Sequence, residues 1–309
     1  MPNRPSAKAP QVERQKITIP KLLAMKAQRE PVSWLTVYDY PTALLMDRAG
    51  VEMMLVGDSL GMTMLGYQTT LPVTMDQMIA FTAAVCRAVK YAFVIGDMPY
   101  MSYQISKEEA IRNAGRFMSE CGTDAVKLEG GARVAPIVEA INNAGIPVMG
   151  HIGLTPQSYT QLGGFKAQGR DIETARKLIA DAAALEEAGA FAILVECTPA
   201  PVAKIIHERV KIPVFGIGSG PHVDGQLMIV HDALGLFERF TPKFVKRYAN
   251  LSPILLEAFT HYHTDVKAKK FPQPEHFYTM AEGELEKLNS LFNRGWQDDA
   301  PKPKKGAPR

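Results

Sequence analysis

Eight short apolar runs, each closed by glycine or a polar residue, limit what this chain can fold into more than any other feature. They are Trp34-Leu35-Thr36-Val37-Tyr38 before Asp39, Met53-Met54-Leu55-Val56 before Gly57-Asp58-Ser59, and Ala92-Phe93-Val94-Ile95 before Gly96-Asp97. The fourth is Ala125-Val126-Lys127-Leu128 before Glu129, and the fifth is Ile146-Pro147-Val148-Met149 before Gly150-His151. Phe191-Ala192-Ile193-Leu194-Val195 before Glu196, Pro213-Val214-Phe215 before a glycine run, and Leu227-Met228-Ile229-Val230 before His231-Asp232 complete the set. Near-continuous apolar runs of this length suit strands covered on both faces, as in a parallel sheet. Helical patterns lie between them at residues 41–49, 75–89, 107–119, 134–144, 173–188 and 201–208. Several close on Ala-Gly or Cys-Gly, the usual helix C-terminal glycine. The alternation predicts an α/β chain forming a single (β/α)₈ TIM barrel, with an open doubly wound sheet as the competing arrangement.

Composition narrows the functional classes. The chain has 309 residues and a formal net charge of +3, with the basic residues gathered at 267–270 and 302–305. No basic helix or aromatic platform accompanies them, so nucleic acid is not an expected partner. No run is long and apolar enough to span a bilayer, and Cys86, Cys121 and Cys197 lack metal-ligand spacing; a reduced, cytoplasmic protein is expected. Residues 1–16 read as a mobile arm, 17–276 as the barrel domain, and 277–309 as a helical extension with a disordered basic tail. Helices over 249–264 and 280–293 would cap the barrel, extend it or make oligomer contacts.

In such a barrel the C-terminal ends of the strands converge on one mouth. Asp58, Asp97 and Glu129 come from three consecutive strand ends, and clustered carboxylates are costly to desolvate unless a cation joins them. Oxygen-only ligands with open positions for water and substrate favour Mg²⁺. In Val126-Lys127-Leu128-Glu129-Gly130-Gly131, Lys127 and Glu129 share one strand face, delivering a cation and an anion together. Lys127 would hold a negative group or stabilise developing oxyanion charge; a Schiff base is its other possible use. Glu196, across the mouth, fits a general base. His151 is a hydrogen-bond donor to substrate, an orienting group, or a structural histidine. Ser59 in its glycine-bearing turn would bind a substrate carboxylate. The long loops 60–74 and 152–170 are candidate lids. Together these residues point to metal-dependent enolate or carbon–carbon bond chemistry, and no further.

The motifs Thr36-Val37-Tyr38-Asp39-Tyr40, Val56-Gly57-Asp58-Ser59-Leu60-Gly61-Met62, Val126-Lys127-Leu128-Glu129-Gly130-Gly131 and Gly150-His151-Ile152-Gly153-Leu154-Thr155-Pro156-Gln157 resemble the ketopantoate hydroxymethyltransferase family. So do Thr70-Leu71-Pro72-Val73-Thr74, Gly163-Gly164-Phe165-Lys166-Ala167-Gln168-Gly169, Glu196-Cys197 and Gly216-Ile217-Gly218. The resemblance implies a barrel of the phosphoenolpyruvate/pyruvate type and transfer of a hydroxymethyl group from 5,10-methylenetetrahydrofolate to 3-methyl-2-oxobutanoate. A Mg-stabilised enolate would intervene, and the product would be 2-dehydropantoate, in pantothenate and coenzyme A biosynthesis. By motif it makes Asp58, Asp97 and Glu129 the metal-site acids, with Gly57, Ser59, Asp97 and Lys127 as 2-oxo acid contacts. Glu196 becomes the base, with Lys127 and His151 beside it. It also implies a homo-oligomer, a decamer built from dimers. Ser219 stands where alanine is expected, and Ala167 where valine is usual. Two other readings are a carbon–carbon lyase or phosphonomutase of the wider superfamily, and a non-catalytic barrel scaffold.

Overall fold

The computed structural model describes residues 14–293. Of the arm expected over 1–16, only the last three residues fall within that range, and the tail expected over 300–309 lies outside it. Those three are tied down: Arg14 donates to the Asp47 carbonyl and stacks on Tyr91, while Lys16 pairs with Asp124 at 2.6 Å.

Eight parallel strands close in sequence order into a barrel. They are β1 (Val32–Thr36), β2 (Met53–Val56), β3 (Phe93–Asp97), β4 (Ala125–Glu129), β5 (Val148–Gly153), β6 (Ala192–Glu196), β7 (Val214–Ile217) and β8 (Gly225–Met228). The helices are α1 (Ile19–Gln28), α2 (Tyr40–Ala49), α3 (Leu60–Thr63), α4 (Met75–Ala88), α5 (Lys107–Arg116), α6 (Ala135–Asn143), α7 (Ile172–Glu187), α8 (Ala200–Arg209), α9 (Val230–Ala233), α10 (Leu251–Lys267) and α11 (Glu284–Asn293). The chain divides after Leu251 into two compact units, a boundary inside the 17–276 segment expected for the barrel domain. The second unit carries α11 and all but the first residue of α10, with neither helix burying a residue.

Three strands depart most from the sequence expectation, and the first of them, expected over 34–38, is β1 at Val32–Thr36, two residues earlier. The fifth run was expected over 146–149, yet β5 continues through His151 to Gly153. Apolar periodicity stops where the strand's inward side chain becomes polar, so it cannot follow the strand into the mouth. The eighth was expected over 227–230, but β8 begins at Gly225, where a Cβ would lie 2.4 Å from the Val32 carbonyl oxygen. Ile229 and Val230 leave the sheet; Val230 opens α9 and its N–H bonds Thr36 Oγ1 at 3.1 Å. The reading also missed α1, although its start is encoded: Thr18 caps the Lys21 N–H and Pro20 occupies the first turn. Leu22 and Met25 of α1 join the barrel-interior cluster with Val32 and Trp34.

Strand alternation splits the core in two. One set of side chains packs against the helices, among them Val94, Val126, Val148 and Ile193. The other fills the barrel, with Phe93, Ile95, Ala125, Met149, Ala192 and Leu194. Following the second set two residues at a time toward the strand ends gives Asp97 after Ile95, Lys127 and Glu129 after Ala125, His151 after Met149, and Glu196 after Leu194. The candidate site is therefore the polar top layer of the barrel interior.

The opposite end uses acids differently. Asp47 accepts the N–H groups of Lys90, Tyr91 and Ala92 at 3.1, 3.0 and 2.9 Å, and Asp124 and Asp224 accept Val94 N–H and Val214 N–H, each at 2.7 Å. These carboxylates satisfy donors where strands begin, a need unrelated to chemistry.

Candidate active site

Register brings the predicted residues together. Asp97 pairs with Lys127 across β3 and β4, and Glu129 pairs with His151 across β4 and β5. Lys127 Nζ lies 2.6 Å from Asp97 Oδ1, and both side chains are nearly inaccessible, at 2% and 3%. The next inward position on β2 is Gly57, where a Cβ would stand 3.7 Å from Asp97 Oδ2 and 2.9 Å from Ser59 Oγ. Glycine thus leaves room beside the carboxylate, and the Asp58 N–H bonds Asp97 Oδ2 at 3.1 Å. Ser59 Oγ pairs with Tyr38 Oη at 2.8 Å.

His151 stands between two acids: Nε2 is 3.1 Å from Glu196 Oε2, and Nδ1 is 3.6 Å from Glu129 Oε1. Burial and the Lys127 ammonium act to lower its pKa, but Glu129 and Glu196 outweigh both and hold it up at about 9. Its Nδ1 also lies 3.4 Å from Lys127 Nζ, so the imidazole touches the lysine as well as the two acids. Burial also acts against the Lys127 ammonium, but Asp97, Glu129 and Asp58 raise its pKa above the ordinary lysine value.

Among the acids, burial and then the charges of Asp97 and Glu129 push Asp58 well above the usual carboxylate range; Lys127 and Gln157 pull it back only in part. Asp97 is likewise pushed up by burial, despite its ion pair. Excess buried negative charge of this kind fits an oxygen-bound cation. Among the described residues no group of three or more His, Cys, Asp or Glu side chains is arranged to hold a metal by itself. A cation taking one or two protein carboxylates and filling its shell with water and substrate fits both observations.

Sequence reasoning missed the residues that brace this layer. Gln157 Nε2 donates to Asp58 Oδ2 and to the Met98 carbonyl, each at 2.9 Å, while its backbone N–H bonds Glu129 Oε2 at 2.9 Å. Tyr103 Oη bonds Gln157 Oε1 at 2.7 Å. Gln157 lies in a quoted motif, but nothing in its neighbours signals that the loop folds back over the mouth. Ser219, the departure from alanine, is fully buried, donates to the Val195 carbonyl at 2.7 Å and accepts the Thr198 N–H at 3.2 Å. It joins the ends of β6 and β7.

Above this floor opens a cavity of about 1270 Å³, beyond the roughly 300–1,000 Å³ usual for a single ligand. Both long loops line it, through Met62, Thr63 and Thr70 on one side and Leu154, Pro156 and Phe165 on the other. Cys197 also lines it, with burial pushing the thiol up to about 12, so it is no thiolate nucleophile.

The family model for ketopantoate hydroxymethyltransferase matches residues 16–274. The chain is 55% identical over 266 residues to the 3-methyl-2-oxobutanoate hydroxymethyltransferase of Moorella thermoacetica, covering 86% of this chain and 99% of that one. It is 52% identical over 273 residues to that of Syntrophomonas wolfei, covering 88% and 99%. Among solved structures, the phosphoenolpyruvate phosphomutase of Streptomyces platensis matches with a TM-score of 0.56 at 15% identity, covering 90% and 98%. A phosphonopyruvate hydrolase solved with oxalate and Mg²⁺ matches with 0.56 at 12%, covering 90% and 99%. At such identities these two speak for the fold alone. The matched segment spans all eight strands of the barrel, and the chain belongs to the ketopantoate hydroxymethyltransferase family.

Proposed function

We propose that this chain transfers a hydroxymethyl group from 5,10-methylenetetrahydrofolate to 3-methyl-2-oxobutanoate, giving 2-dehydropantoate. The observation that carries the reading is the buried pair Lys127 and His151, set among Asp97, Glu129 and Glu196 under a cavity large enough for two co-substrates. Ser59 Oγ, the backbone beside Gly57 and Lys127 Nζ hold the carboxylate and keto oxygens of the 2-oxo acid. Glu196 removes the C3 proton, becoming a carboxylic acid while the electron pair moves to the keto oxygen, where Lys127 balances the new charge. His151, fixed between Glu129 and Glu196, orients the base. Mg²⁺, held by Asp58 and Asp97 with Glu129 behind them, supplies Lewis acidity at the keto group when bound. C3 then bonds the methylene carbon of the donor and water provides the hydroxyl oxygen, as both carbon–nitrogen bonds of that carbon break and the two folate nitrogens take up one proton each, from Glu196 and from the water.

A lyase or phosphonomutase reading has less support, because relatives above 50% identity bear the transferase name whereas the mutase match is 15%. A cytoplasmic location is supported by three free cysteines and, among the described residues, by the absence of a helix long and apolar enough to cross a membrane. A homo-oligomer is supported by the exposed Ile254, Leu256, Phe259 and Tyr262 of α10, and the decamer is what the family resemblance implies. Light scattering that returns a monomer mass would remove this last point.

Proton NMR of 3-methyl-2-oxobutanoate in D₂O, with enzyme and Mg²⁺ but no folate, tests the chemistry. The C3 proton signal should disappear, and Glu196→Gln should slow its loss by roughly 10³-fold while leaving 2-oxo acid affinity within about threefold. Exchange at wild-type rate in Glu196→Gln would remove Glu196 as the base. No exchange in the wild type, with no 2-dehydropantoate after methylenetetrahydrofolate is added, would sink the assignment.

A further inference from the structure

The mechanism above leaves one acid of the cavity unused. Asp232, in α9 after β8, lines the cavity wall, yet its residue is only 6% exposed. No described side chain or N–H gives its carboxylate a hydrogen bond or ion pair; Arg247 acts on it only as a more distant charge. The Asp232 carboxylate faces the cavity with no donor from the described residues, and is open to a ligand that brings donors of its own. It stands on the β8 side of the mouth, away from the β3–β6 cluster.

Its surroundings describe a ligand. Phe237, Phe240 and Phe244 line the same cavity, with the first two rings edge-on at 5.5 Å. Arg170 and Lys243, both exposed, also line it. An acceptor pair, apolar ring faces and exposed cations match a molecule with a two-donor edge, a flat ring system and an anionic tail.

We propose that Asp232 anchors the pterin ring of the folate donor, its two carboxylate oxygens accepting the ring N–H and the 2-amino group. The ring then lies against the phenylalanines, and the glutamate tail runs toward Arg170 and Lys243. The inference rests on the folate-dependent transfer proposed above. Two parallel N–H···O bonds to a carboxylate give orientation as well as affinity, because a single rotation of the ring breaks both.

Asp232→Asn keeps the shape and loses one of the two acceptors. Tetrahydrofolate binding to enzyme saturated with 3-methyl-2-oxobutanoate, followed by protein fluorescence, should weaken by roughly 30-fold or more. The folate-free C3 proton exchange should stay within about twofold, which also reports that the variant is folded. A tetrahydrofolate analogue lacking the 2-amino group should bind the wild type roughly tenfold more weakly than tetrahydrofolate, and Asp232→Asn should no longer tell the two apart. Unchanged tetrahydrofolate affinity, or equal discrimination by both proteins, would overturn the assignment to Asp232. Exchange falling in parallel with affinity would overturn it as well, by making the effect general to the site. Failure of exchange in the wild type would instead count against the reaction proposed, while the binding comparison still reads the role of Asp232.

Discussion

A carboxylate without a partner leaves a thermodynamic trace of its own. Burial raises the pKa of Asp232 from the ordinary aspartate value of about 3.8 to about 6, with Arg247 opposing. The native state therefore holds this proton to a higher pH than the unfolded chain does. The favourable contribution is complete below about 3.8 and is lost as pH rises through about 6, so above that range the ionised group weakens the fold. Full burial would make the loss roughly 3 kcal/mol, and contact with the open cavity reduces it. Unliganded Asp232→Asn should consequently melt higher than wild type at pH 7.5 and alike at pH 4. Equal melting temperatures at both would show that cavity water already solvates the carboxylate.

At the scale of elements, carboxylates follow two different rules in the barrel. At the strand ends acids crowd together, and Asp58 is pushed up by burial and then by the charges of Asp97 and Glu129; those at the strand starts each accept at least one backbone N–H. Asp47 is the clearest of the second kind, because one α2 side chain closes the turn that launches β3. Asp47→Ala would strand three N–H groups, costing roughly 3 kcal/mol in urea unfolding without altering substrate affinity. A loss below about 1 kcal/mol would mean that water replaces the carboxylate there. Nothing in the residues around Asp47 distinguishes it from an ordinary helix-surface acid. It becomes a structural residue only when the α2–α4 packing brings 90–92 to it, a contact more than forty positions away. The sequence pattern was sufficient for the strands whose inward face stays apolar, such as β2. It failed at β5 because a polar inward residue looks like the end of a strand, and at β8 because glycine starts a strand as readily as it ends one. The site acids were legible since barrel geometry sends every strand end to one place. Gln157 and Tyr103 were not, because they reach the acids from loops whose course no local pattern encodes.

For the whole molecule, the depth of the polar layer bears on kinetics. Lys127, Glu129 and His151 lie at the floor, each 2–3% exposed, while Arg170 and Lys243 mark the outer edge of the same cavity. A small 2-oxo acid must travel past the place where the larger co-substrate would rest. Once that place is filled, the floor has lost its approach. Turnover should thus follow a compulsory order, with 2-oxo acid entering first and 2-dehydropantoate departing last. Initial-rate studies with a non-reactive folate would then give inhibition competitive against the donor and uncompetitive against the 2-oxo acid. A noncompetitive pattern against the 2-oxo acid would mean that the folate analogue also occupies the free enzyme without closing the floor, and that the barrel has a second way in.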